Sequence, residues 1–149
     1  MLTTEPYNVI SVGVVSVSGS QHNLRLEIKP QYRPALKGLA DFSHCQILWW
    51  IHEFADNAFR RTTQIEPPYE APVTGVFATR SPVRPNPIGL SVAEIVSVDV
   101  EQGIVEVTGL DAYPGTPVLD IKAYFPATDR VRHVRVPVWA ASWGEWALE

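Results

Sequence analysis

Apolar residues in this chain come in short runs, mostly alternating with polar ones, and the runs are separated by clusters of glycine, proline, serine and asparagine. Residues 9–17 are rich in valine and isoleucine and predict a strand. After turn chemistry at 18–23, Leu-Arg-Leu-Glu-Ile-Lys at 24–29 alternates as a half-buried strand does. Pro30 and Pro34 interrupt the next stretch, and 36–42, carrying Gly38, predicts a short helical turn. The most hydrophobic run is 44–54. At period two, Cys45, Ile47, Trp49 and Ile51 form an apolar core face. His44, Gln46, Leu48, Trp50 and His52 form a mixed face suited to a pocket wall or the surface. Residues 56–72 are polar and proline-containing, and predict a long connecting loop. A short apolar strand is expected at 75–78. Strands at 90–100 and 104–110 make a hairpin about Glu101-Gln102-Gly103. A turn-rich loop covers 111–117, a strand 118–125, and an alternating stretch 131–139, while 140–149 caps the fold with Trp139, Trp143 and Trp146. Residues 1–6 read as a loose end.

About seven short strands without a long amphipathic helix predict an all-β fold, a small closed or nearly closed barrel or a sandwich with short helical turns. No internal repeat, low-complexity tract or boundary divides the chain, so residues 1–149 are expected to form one domain. The content of 46% hydrophobic and 19% charged residues is that of a globular chain. No apolar run reaches the roughly 20 residues of a membrane span. No basic stretch precedes an apolar one at the N-terminus, so no secretory signal is expected. A single cysteine, Cys45, fits a reducing cytoplasm. The net charge of −4 gives no general attraction to nucleic acid, leaving local arginines as candidates: Arg60-Arg61 and the group Arg130, Arg132, Arg135.

The stretch GVFATRSPVRPNPIGLS at 75–91 concentrates the candidate chemistry. Ser81, Arg84 and Asn86 each precede a proline, which pushes them toward extended geometry and stiffens the segment. Arg80 and Arg84 are natural anchors for a carboxylate, a phosphate or a planar ring. Equally, the stretch can be a stiff turn with solvated arginines. In the loop 110–117, backbone amides, Tyr113 and the Thr116 hydroxyl can receive an adenine or ribose, or the loop can simply join two strands.

Other schemes lack their residues. His44 and Cys45 are strand neighbours pointing to opposite faces, so they cannot form a thiol–imidazole pair. One cysteine and four scattered histidines do not make a zinc site, and His44 and His52 would stand roughly 26 Å apart on an extended strand. No metal is expected. There is no G-x-G-x-x-G after a strand, no phosphate-binding G-x-x-x-x-G-K-[ST] and no G-x-S-x-G elbow. A Rossmann fold is not expected.

Three blocks in this order and spacing, GLADFSH at 38–44, GVFATRSPVRPNPIGLS at 75–91, and Asp111 with GTPVLDIKAY at 115–124, closely resemble the TsaA-like family, whose characterised members are TrmO-type tRNA methyltransferases. The resemblance runs from about residue 9 to about residue 139. It implies a small β-barrel, S-adenosyl-L-methionine as methyl donor, and a homodimer with the site near the subunit interface. It implies threonylcarbamoyladenosine beside the tRNA anticodon as acceptor, methylated at the exocyclic nitrogen. Carried over by position, the cofactor contacts fall on Ile51, His52, Arg80, Leu90 and the loop Ala112, Tyr113, Pro114, Gly115. Arg84 would take the threonyl carboxylate or a phosphate, and Asn86 the base or its carbamoyl group. His52 would reach the cofactor from its strand face. No residue stands out as a general base. The chain departs from the family in the short stretch 17–23 and in Pro114, where an aspartate is usual. These departures keep open a cofactor-binding protein without tRNA methylation, and methylation of a small molecule.

Overall fold

The computed structural model describes residues 5–19 and 23–148. The expectations for the loose end at 1–4, the turn at 20–22 and the last residue of the cap fall outside the described residues.

Six antiparallel strands close a barrel: β1 (Gly13–Val17), β2 (Leu24–Ile28), β3 (His44–Trp50), β6 (Ile88–Asp99), β7 (Ile104–Thr108) and β8 (Pro117–Ala123), in the order β1-β2-β7-β6-β3-β8. β8 returns to β1 through Gly13↔Val118 and Val14↔Pro117, extended by Val15 N–H donating to the Thr116 carbonyl. A separate ribbon pairs β4 (Gln64–Ile65) with β5 (Thr74–Gly75). The all-β barrel expected from the alternation is what the chain forms.

The interior follows period two. Val15, Leu26, Ile28, Cys45, Ile47, Ala93, Val105, Val107 and Val118 fill it from all six strands. Leu36 and Leu39 plug the end where β3 starts, brought there by 3-10 turns at Pro30–Leu36 and Leu39–Asp41. Pro30 opens the first turn and Pro34 lies inside it, so the two prolines belong to a tight helical plug and not to a break in the fold. Cys45 is fully buried, and desolvation pushes its thiol up to about 11. It is an inert core side chain at neutral pH.

Several expected boundaries move. Residues 9–12 are not strand, and Val9 and Ile10 stay exposed; on one side β2 ends at Ile28, opposite Gly13, and gives way to a 3-10 turn. β3 ends at Trp50, and His52 begins a 3-10 turn, His52–Phe54, so it does not share the outer face of the strand. The expected loop 56–72 contains a helical turn, Asn57–Arg60, and β4. The expected strand at 75–78 is β5 followed by a 3-10 turn, Val76–Ala78, that buries Val76. The alternating stretch 131–139 pairs with no strand; Val131, Val134, Val136 and Val138 are exposed. No strand of the closed barrel or of the β4–β5 ribbon pairs with it, so alternation alone does not make a strand there.

Candidate functional site

A cleft of about 830 Å³ opens at the barrel end where β3 finishes and β6 and β8 begin. Two local devices shape its floor. Gly89 on β6 faces Trp49 on β3, and a Cβ on Gly89 would fall 2.3 Å from the indole. Only glycine lets the ring lie flat on the strand, where its Nε1–H donates to the Ser91 hydroxyl at 3.1 Å. Beside it, β8 carries one extra residue, Leu119, opposite the step from Leu48 to Trp49, a bulge of the kind that re-aims side chains near sites.

The bend between Val76 and Ile88 forms one wall. Its geometry comes from side chains bonding to backbone rather than from a ladder. The Thr79 hydroxyl donates to the Val76 carbonyl, Ser81 N–H donates to the Thr79 hydroxyl, and Val83 N–H to the Ser81 hydroxyl. Arg84 ties these turns together: Nε donates to the Ser81 carbonyl at 2.7 Å, and Nη2 to the carbonyls of Val76 and Thr79 at 2.9 and 2.7 Å. Arg60 reaches in from its helical turn, with Nε on the Pro85 carbonyl at 2.8 Å, Nη2 on Asn86 Oδ1 at 3.2 Å, and its guanidinium 5.8 Å from the Trp50 ring. Arg80 is held least. Its Nη1 meets the Leu90 carbonyl at 3.5 Å, and the side chain stays exposed on the cleft wall.

The opposite wall is the loop before β8. Thr116 N–H donates to the Tyr113 carbonyl, closing a turn with Pro114 and Gly115 at its two central positions, and Gly115 has φ +89°. Proline first and a positive-φ glycine second is the chemistry of a type II turn. Pro114 therefore sits where its missing N–H is not needed, and the departure at this position leaves the loop intact. Gly115 N–H donates to the Val15 carbonyl, and Thr116 is buried, so the loop is pinned to β1. Tyr113 is left exposed at the rim.

Ile51, His52, Arg80, Arg84, Leu90, Ala112 and Tyr113 thus line one cleft, although up to 62 positions separate them in sequence. Pro114 and Gly115 shape the loop and Asn86 pairs with Arg60; none of the three lies in the lining. Trp49, Phe77, Ile88, Gly89 and Asp111 also line the cleft and were not nominated from the sequence. The Gly89–Trp49 approach depends on cross-strand register, which composition does not reveal. Phe77, by contrast, stands inside the most distinctive motif, and its exposure, at 85%, marks it as more than core. Among the described residues, no group of three or more His, Cys, Asp or Glu is placed to hold a metal ion, and no helix is long and apolar enough to cross a membrane.

The chain is similar to several known proteins. A protein of Archaeoglobus fulgidus named S-adenosyl-L-methionine-binding protein is 41% identical over 109 residues, covering 73% of this chain and 74% of that one. The human tRNA (adenine(37)-N6)-methyltransferase is 37% identical over 126 residues, covering 84% of this chain but 28% of its own length. The crystal structure of TrmO from Pseudomonas aeruginosa superposes with a TM-score of 0.69 at 28% identity, covering 89% of this chain and 62% of that one. A probable S-adenosyl-L-methionine-binding protein, also from Archaeoglobus fulgidus, is matched over only 34% of its length, so the chain spans a fraction of several of its relatives. Residues 14–130, the barrel with both cleft walls, match the tRNA-methyltransferase O N-terminal domain, and the chain belongs to that family.

Proposed function

We propose that the chain is an S-adenosyl-L-methionine-dependent methyltransferase that modifies threonylcarbamoyladenosine at its exocyclic nitrogen, beside the tRNA anticodon. The observation that carries this reading is the convergence of Ile51, His52, Arg80, Leu90, Ala112 and Tyr113 on one cleft. These are the cofactor positions implied by family resemblance, and relatives named as a methyltransferase or as a binder of this cofactor are similar in sequence over most of this chain.

The residues present suit the cofactor. At about 830 Å³ the cleft lies within the roughly 300–1,000 Å³ typical of small-molecule sites. Ile51, Leu90 and Ala112 offer apolar surface, Phe77 and Tyr113 offer exposed rings for an adenine, and Arg80 offers a charge to a carboxylate. When bound, the cofactor supplies an already activated methyl group on a sulfonium sulfur. The protein's task is then alignment, which can lower a barrier by about 7–11 kcal/mol when reacting atoms are held near contact. The Arg84-braced bend suits that task, because its wall is fixed by directional bonds. His52, Glu53 and Asp111 stand on the cleft wall to receive the proton that leaves the acceptor nitrogen. Arg84 Nε and Nη2 are committed to the bend, so Arg80 is the better anchor for an anionic group.

The reading also takes the chain as one domain acting in the cytoplasm as a homodimer. Leu48 faces Leu90 and Trp50 faces Ile88 across β3 and β6 on the outer face, with Ile88 and Leu90 exposed and also in the cleft lining, so a second copy seated there would border the site. Sedimentation is expected to give the mass of two chains, and Leu48→Glu the mass of one.

The deciding experiment is incubation of tRNA carrying unmethylated threonylcarbamoyladenosine with the protein and S-adenosyl-L-methionine, followed by nucleoside mass spectrometry, alongside isothermal titration of the cofactor. Methylated threonylcarbamoyladenosine is the expected product. Cofactor binding without that product would leave only a binding protein or a different acceptor.

A further inference from the structure

Behind the bend lies a second cleft of about 740 Å³ that the cofactor reading does not use. Phe77, Thr79, Arg80 and Pro82 line both clefts, so one thin wall separates them and Arg80 serves both. The far side of the second cleft is aromatic. Tyr69 stacks on Trp139 with centroids 5.6 Å apart, and Trp143 meets both rings edge-on at 4.8 and 5.3 Å. These contacts fasten the C-terminal tail to the loop after β4, yet they do not bury the rings: Trp143 remains 59% exposed. A cluster serving only as a clasp would gain by covering that surface.

The tail leading to this cluster is cationic. Arg130, Arg132 and Arg135 are not buried, in a chain whose net charge is −4, and the Arg130 guanidinium lies 5.3 Å from the Trp146 ring in a neighbouring cleft that Arg80 also lines. Arg80 in the cleft and exposed arginines along the tail, beside open tryptophans, suit single-stranded nucleic acid binding, where bases stack on rings and cations follow the backbone. An apolar peptide would use the rings but not the arginines. Glu66, in the cleft lining, suits a base amino group.

We propose that the cleft formed by Tyr69, Trp139, Trp143 and the back of the bend is a stacking site for an unpaired nucleotide of the acceptor RNA, next to the one presented to the methyl donor. This rests on the RNA acceptor argued above. It assigns to the tail a positioning role: Trp143 grips a neighbouring base, and Arg80 sits between the two nucleotides.

The test is fluorescence anisotropy of a labelled anticodon stem-loop hairpin with the full chain, with S-adenosylhomocysteine saturating, and parallel isothermal titration of that ligand. Trp143→Ala is expected to weaken hairpin binding by about tenfold, the scale of one lost base–ring stack, and to leave the cofactor titration unchanged. Trp143→Phe should restore most of the affinity, and a fully paired duplex should show no difference between variants. Equal hairpin affinity in Trp143→Ala and the unaltered protein would overturn the proposal, as would an unaltered protein that binds cofactor but not the hairpin. Hairpin binding that needs Trp143 in a protein that ignores the cofactor would support the stacking site and sink the methyltransferase reading instead.

Discussion

The bend between Val76 and Ile88 and the tail from Arg130 onward both flank the cleft region, and neither is regular secondary structure, but they are held in different ways. The bend is fixed by Arg84, whose guanidinium meets three carbonyls within 2.9 Å. The tail is fixed by ring contacts between Tyr69, Trp139 and Trp143. Charge-assisted hydrogen bonds are short and directional, so they define positions closely. Ring contacts adhere but tolerate sliding and several geometries. On the function proposed above, the stiff element would align the methyl group and the adaptable one would receive a flexible RNA loop.

Breaking the bend should have the largest effect. Arg84→Ala strands three carbonyls and is expected to cost about 3 kcal/mol in urea denaturation, with cofactor affinity falling more than tenfold. Arg84→Lys should rescue little, since an ammonium cannot reproduce the planar fork. Gly89→Ala comes next. The added methyl collides with the Trp49 indole, so about 1–3 kcal/mol of stability should be lost, together with the Trp49–Ser91 bond, read as a red shift in tryptophan emission. Arg80→Ala sharpens the contrast between neighbours on one bend. Its long contact to the Leu90 carbonyl predicts a stability change within about 0.5 kcal/mol, yet roughly tenfold weaker cofactor or acceptor binding by titration. Unchanged binding in that variant would remove Arg80 from the site.

The smallest effect belongs to the barrel wall, away from both elements. Ser18 and then Asn23 donate to the Glu106 carboxylate and hold it below the usual carboxylate range. A lowered folded value stabilises above the ordinary titration range and is lost as pH falls through the folded value. Melting temperature should therefore decline slightly as pH falls through and below the ordinary carboxylate range, and Glu106→Gln should flatten that slope while leaving cofactor titration untouched.

Much of the barrel was legible in the chain. Alternation in Leu24–Ile28 and the apolar face of Cys45 and Ile47 mark half-buried strands, because side chains on a strand alternate by geometry. The same rule misled at 131–139, where the alternating valines pair with no strand, and at His52, where the strand had already ended. Local pattern says what a segment would bury if paired; it does not say whether a partner edge remains.

By itself the sequence determined an all-β fold, a stiff arginine-bearing bend and the family to which both belong. Those depend on period, proline chemistry and motif, which are local properties. Only the tertiary structure decided which arginine is scaffold and which is free, that Gly89 makes room for Trp49, and that a second aromatic cleft shares a wall with the first. These depend on distances between residues remote in sequence, which barrel closure and strand register set and no local pattern encodes.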